Sequence, residues 1–271
     1  FSKLRETSDS LVGQEYGEHF MFTMGSYLAL NITFIILNLL LHFIYKFDLF
    51  QEYRIPGKHY PSDELIRRAL KTVLFNQFIV DFVAWVVFYF MFKARGLRMD
   101  VESVPSLLEL FAQILFAMIV EDTMFYWAHR ALHHRLLYSR IHKQHHQFKS
   151  TIGIAAVYAH PIEVVLSNTV PSLAGMLILG RKAHLVSLWV WITIRIFEAT
   201  ETHSGLTWPF SPFECFPFSG GSERHFFHHS HNVGSYGSFW NYWDWICGTD
   251  KAFRLYQQRN ETKLSQKSKS K

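Results

Sequence analysis

The chain has 271 residues, a formal net charge of +5, and a composition that is 49% hydrophobic and 17% aromatic, with 26 Phe. That is more apolar surface than a soluble domain of this length hides, so the expected solvent is lipid and nothing points to nucleic acid. Only Cys215 and Cys247 are present, without C-x-x-C spacing, which excludes a disulfide framework and a cysteine zinc site.

No Pro/Gly/Ser-rich linker divides the chain, so it reads as one unit. Phe1 in place of Met implies that residues have been removed before it, and no secretory cleavage site follows. The first apolar run, Met24 to Tyr45, carries no formal charge and is long enough to span a bilayer. A second, Val73 to Phe92, is interrupted by Asp81, and a third, Leu107 to Tyr126, carries Glu109, Glu121 and Asp122 and reads as a span or a buried helix. After a polar stretch at 128–151, Ile162 to Leu179 and His184 to Phe197 flank Gly180-Arg181-Lys182 and read as a helical hairpin. Residues Lys263 to Lys271 alternate Lys with Ser and Gln, the pattern of a solvated, disordered tail.

The expected fold is an all-α integral membrane protein of four or five transmembrane helices. Residues 1–106 form a membrane region with two spans, 107–253 a catalytic domain, and 254–271 a basic tail. If all five runs span, 19 of the 27 Lys and Arg fall on the side holding 46–72, 128–151 and 202–271, and 7 on the other. Positive residues mark the cytosolic face, so the histidine-rich segments and the C-terminus are expected there.

Histidine is the strongest signal. Of 16 His, 13 lie between His129 and His231, in clusters His129-x-x-x-His133, His142-x-x-His145-His146 and His225-x-x-His228-His229. Helix positions three or four apart place Cβ atoms about 5–6 Å apart, a span one ion can bridge. In H-x-x-H-H the last two rings diverge by roughly 100°, so they can serve different ions. Eight imidazoles exceed what one four-coordinate ion needs, so two metals are expected. Imidazole suits zinc, copper, iron and nickel alike. Neither E-x-x-H nor H-E-x-x-H occurs. Asp122, seven residues before His129 and on its helix face, is a candidate to accept a hydrogen bond from the second N–H of a ligating ring; Glu198 is either a second such group or half of a membrane-embedded pair with Arg195.

The segments EDTMFYWAHRALHH, IHKQHHQF, YAHPIE, WITIRIFEATETHSG and WDWICGTD, within Leu107 to Phe253, resemble the membrane-bound fatty acid hydroxylase and sterol desaturase superfamily, and within it the C-4 methylsterol monooxygenases. The resemblance implies a histidine-rich cytosolic cap holding two iron ions, O2 as co-substrate, and NAD(P)H-derived electrons delivered by a reductase and cytochrome b5. It also implies an endoplasmic reticulum membrane location and oxidation of a sterol 4-methyl group. Lys267-Ser-Lys269-Ser-Lys271 has the form of a dilysine retrieval signal and agrees with that location. Ligands carried over by motif are His129, His133, His142, His145, His146, His225, His228 and His229, with His203 of ETHSG as a ninth. His160 of YAHPIE is a tenth, or a residue beside the site at a helix start. His134 and His231 are expected outside the ligand set. Two departures, Phe226-Phe227 in place of an acidic residue and Leu206 in place of Tyr, are expected near the substrate cavity and put the substrate in question. Related membrane hydroxylases of fatty acyl, alkylglycerol or other sterol substrates are the alternative, and a non-catalytic metal-binding membrane protein the second.

Overall fold

A computed structural model describes the backbone of residues 2–57, 59–215 and 218–269, and the side chains of these except 2–12, 263–264 and 267–269. The apolar runs become helices, each started by a residue suited to the task. Helix α1 is Ser2–Lys46 and α2 is Asp63–Ala94. Ser62 caps α2, its Oγ accepting from Leu65 N at 3.3 Å, with Asp63 and Glu64 placed where the helix dipole favours acid. Helix α3, Leu107–Leu132, begins at Ser106, whose Oγ accepts from Glu109 N. Helix α4, Pro161–Lys182, opens on a proline that needs no N–H partner. Then follow α5 (Leu185–Thr202), α6 (Ser222–His231), α7 (Tyr242–Cys247) and α8 (Lys251–Lys269). Among the described residues there are no strands, only isolated bridges.

Three helices are long and apolar enough to cross a membrane: α1 from Gly13, α2 and α4. Their outward faces expose Ile36, Leu40, Phe78, Val87 and Leu166, an apolar surface that only lipid or protein would cover. The third and fifth apolar runs are α3 and α5, which carry buried charge on their inner faces, while α3 exposes Leu108, Phe111 and Ile119 on its outer face. Arg195 of α5 reaches Glu121 of α3 at 2.6 Å and Glu198 at 2.8 Å. The tail expected to be disordered continues instead as α8 to Lys269, because Lys, Gln, Arg and Glu are good helix formers. The last residues of the dilysine pattern lie outside the described residues.

Helix α4 packs along α3, and α5 along α1. Small residues allow the close approach: a Cβ on Gly175 would lie 2.6 Å from Ala117 Cα, and one on Gly25 would strike the Trp189 ring. Trp189 Nε1 then donates to Ser26 Oγ at 3.1 Å. Phe22, Trp85, Phe92, Met118, Met176 and Trp191 fill the interior between these helices. A second cluster of Phe34, Val73, Phe148 and Tyr158 joins α1 and α2 to the polar stretch at 142–160.

Gly175→Val should separate α3 from α4, since the clash is with backbone. The expected cost is about 1–3 kcal/mol, seen as a lower melting temperature in detergent; an unchanged midpoint would contradict this crossing.

Candidate metal centre

Four elements deliver nine imidazoles to one region. The end of α3 supplies His129 and His133, a series of short turns at 135–147 supplies His142, His145 and His146, the end of α5 supplies His203, and α6 supplies His225, His228 and His229. They sort into two groups: His129, His133, His142, His146 and His228, and His145, His203, His225 and His229. Within each group one nitrogen per ring lies within 4.8 Å of all the others. The adjacent rings His145-His146 and His228-His229 split between the groups, as the angular divergence of neighbouring helix positions requires.

The opposite edges of the rings fix the chemistry of these nitrogens. His129 Nδ1 donates to the Tyr236 carbonyl at 3.0 Å, His145 to Tyr158 at 3.3 Å, and His203 to Ala199 at 2.7 Å. His228 donates to Gly234 at 2.6 Å and His229 to Phe148 at 2.9 Å. A carbonyl only accepts, so each Nδ1 carries the proton and each Nε2 presents a bare lone pair. His142 has a carboxylate instead, Glu163 Oε1 at 2.7 Å from Nδ1.

The ring nitrogens of each group face one another. His129 and His142 Nε2 are 3.2 Å apart, His142 and His133 3.0 Å, and His146 and His142 3.0 Å. In the second group His203 and His225 are 2.8 Å apart, His229 and His225 3.1 Å, and His203 and His145 3.4 Å. In the His129–His142 and His203–His145 pairs both nitrogens are acceptors and cannot bond to each other, whereas nitrogens on one ion at about 2.1 Å lie roughly 3.0 Å apart at right angles and 3.4 Å at tetrahedral angles. The donor set therefore fits a cation in each group. Burial and the neighbouring rings keep the imidazoles neutral, the form that binds metal: desolvation pushes His129 and His145 down to about 4, and the other seven rings are lowered as well.

His160 stands apart from both groups. It caps α4, its Nδ1 accepting from Ile162 N at 3.2 Å, and His134 does the same for Leu136 N. His231 lies against Phe227 O and Ser230. Asp122 touches no imidazole: seven residues put it on His129's face but about 10 Å lower along the helix, where it accepts from Trp240 N at 2.9 Å. Glu198 is held by Arg195 and lines a cavity of about 360 Å³ beside His203 and His225, without bonding to either ring. Leu206 packs on Leu41 and Ile44, and Phe227 on Phe253 and Tyr256, both away from the main cavity described below.

Two supports carried no direct signal at the level of ligand spacing. Glu163 lies 21 residues beyond its partner His142; an acid in the first turn of an apolar helix was the available clue. Asp244 accepts from Tyr236 N at 2.9 Å, Gly237 N at 2.8 Å and Thr249 Oγ1 at 2.6 Å, and pairs with buried Arg224. It thereby shapes the loop whose Gly234 and Tyr236 carbonyls orient His228 and His129.

His145→Ala and His228→Ala should each lower metal content of the purified protein to one ion or fewer per chain, while His160→Ala should match wild type. Glu163→Ala should weaken metal retention by about 10–100-fold in chelator competition, with Glu163→Gln intermediate. Equal retention by Glu163→Ala and wild type would show that the contact to His142 has no bearing on the site.

The family described as fatty acid hydroxylase matches residues 114–249. Very-long-chain aldehyde decarbonylase GL1-8 of Oryza sativa subsp. indica is 34% identical over 88% of this chain and 88% of its own. Methylsterol monooxygenase 2-2 of Arabidopsis thaliana is 34% identical over 85% and 86%, and methylsterol monooxygenase 1 of Rattus norvegicus 33% identical over 91% and 83%. No solved structure matches. With the three histidine clusters inside the matched region and relatives aligned along most of the chain, this protein belongs to the fatty acid hydroxylase family.

Proposed function

We propose that this protein is an O2-dependent di-iron monooxygenase of the endoplasmic reticulum membrane that oxidises the C-4 methyl group of a sterol precursor. The observation that carries the reading is a largely apolar cavity that runs from between the membrane helices to both histidine groups. Leu30, Trp85, Leu173, Ile192 and Ile196 give it apolar walls, and His129, His142, His145, His203 and His225 border it at the cap. A largely apolar cleft with a few convergent polar groups suits a lipid. The methylsterol monooxygenase relatives, aligned over most of their length, favour the sterol.

The nine imidazoles would hold two iron ions, which when bound supply the oxidising power, drawn from O2, that an unactivated C–H bond demands. The chain's own residues do the rest. Phe125 and Ile196 line the approach and exclude water. Glu163 retains the proton of His142 at Nδ1 and so keeps Nε2 free. Sets of five and four imidazole nitrogens would hold the two ions.

In this reading α3 and α5 complete a five-helix membrane bundle, with the histidine cap and the C-terminus cytosolic. Arg68, Arg140 and Lys143 line a shallow cleft on the outer surface of the cap and suit an acidic electron donor such as cytochrome b5, itself reduced by its NAD(P)H-dependent reductase. The rice relatives favour a second reading, action on a very-long-chain aldehyde in the same cavity.

The deciding experiment offers the iron-loaded, detergent-purified protein a 4,4-dimethylsterol or a very-long-chain aldehyde, with NADPH, reductase and cytochrome b5. Stepwise oxidation of the 4-methyl group, with two irons per chain and loss of at least about 100-fold in His145→Ala, is expected for removal of a ligand. Conversion of the aldehyde alone would select the second reading. Full sterol turnover by His145→Ala would overturn the di-iron assignment.

A further inference from the structure

Asp81 lies in the middle of α2, a helix apolar enough to cross a membrane, and is 6% exposed. The other buried acids between the helices have partners: Glu121 and Glu198 have Arg195, Asp122 has a backbone N–H, and Glu163 has His142. Asp81 has neither a cation nor a hydrogen-bond donor among the described residues, and it borders the large cavity. A carboxyl group without a partner at this depth is costly and marks a functional position.

The backbone around it points the same way. Asp81 closes a π-turn, Asn76–Asp81, and a second π-turn, Val164–Thr169 of α4, packs against the first. Such turns admit an extra residue and re-aim side chains, and they occur often at functional sites. Ser167 and Asn168 of the second turn border the cavity, and their side chains hold no other partner. Ser167 follows Glu163 by four residues, so this polar set lies about one turn deeper than the carboxylate that holds His142.

We infer that Asp81, with Ser167 and Asn168, forms the seat for a hydroxyl group of the substrate lipid. The inference rests on the reading of the cavity as a lipid site and specifies the substrate class: an alcohol with its reacting carbon close to the hydroxyl. A hydroxyl both donates and accepts, so its hydrogen goes to Asp81 while its oxygen accepts from Asn168 or Ser167. An ether or an aldehyde brings no donor, leaves the carboxyl group unpaired and is disfavoured.

The test measures binding of two tritiated pairs to detergent-purified, metal-loaded protein. One pair is a 4,4-dimethylsterol and its 3-O-methyl ether; the other is a very-long-chain primary alcohol and its methyl ether. Wild type should prefer the hydroxyl member of at least one pair by about tenfold or more. Asp81→Leu should lose that preference while keeping its metal, and Asp81→Asn, which retains an acceptor of the same shape, should keep part of it. A preference in the alcohol pair alone would remove the sterol from the proposed function and leave the hydroxyl seat standing. No preference in either pair, or an undiminished one in Asp81→Leu, would overturn the inference. Should Asp81→Leu fail to fold, Asn168→Leu decides: a reduced preference upholds the seat and an unchanged one overturns it.

Discussion

The structure turns on nine imidazoles whose ring nitrogens face one another, six of them fixed as bare acceptors. Because Nδ1 carries the proton in each ring bonded to a carbonyl or to Glu163, the facing Nε2 atoms have no hydrogen to share. Each buried acceptor left unpaired costs about 1–3 kcal/mol, and six of them together rival the roughly 5–15 kcal/mol that holds a typical domain folded. A cation in each group would turn that internal cost into an attraction and couple folding of the cap to metal binding.

The rings are held there by segments far apart in sequence. Five of them lean on carbonyls of irregular backbone, at Phe148, Tyr158, Ala199, Gly234 and Tyr236, and Asp244 stabilises the loop that offers two of these. Only His142 leans on a side chain, and that side chain belongs to the first turn of a candidate membrane helix. Glu163 therefore couples the position of α4 to the geometry of the first histidine group, so a shift of the membrane bundle is felt at the cap through one buried contact.

What the sequence disclosed follows from how local each feature is. The three clusters are legible because ligand spacing within a helix is a short-range pattern, and the split of His145-His146 and His228-His229 between two groups follows from helical geometry alone. The long apolar runs are legible for the same reason. Asp122 misleads because sharing a helix face is not sharing a height: two turns separate it from His129. His160 caps the start of α4, the second of the two roles that a histidine before Pro-Ile-Glu suits. Glu163 and the carbonyl partners depend on tertiary docking, which leaves no mark at fixed spacing, and the paired charges of α3 and α5 reveal their partners only once the helices cross.

Charges between the packed helices separate into two kinds here. Arg195 neutralises Glu121 and Glu198 while its guanidinium stacks between Phe125 and Phe239, so that trio is satisfied within the protein and holds α3 to α5 beneath the cap. Glu163 is satisfied by an imidazole and has one oxygen left unbonded. Asp81 has no hydrogen-bond or ionic partner among the described residues. A purely structural bundle would have no reason to retain that last group, since an apolar residue of similar size would pack there at lower cost. Its retention beside an apolar cavity that ends at two histidine groups makes sense if a molecule entering from lipid completes it, just as cations complete the rings above. Both ends of the cavity are unfinished in the same way, each awaiting the partner that neutralises it.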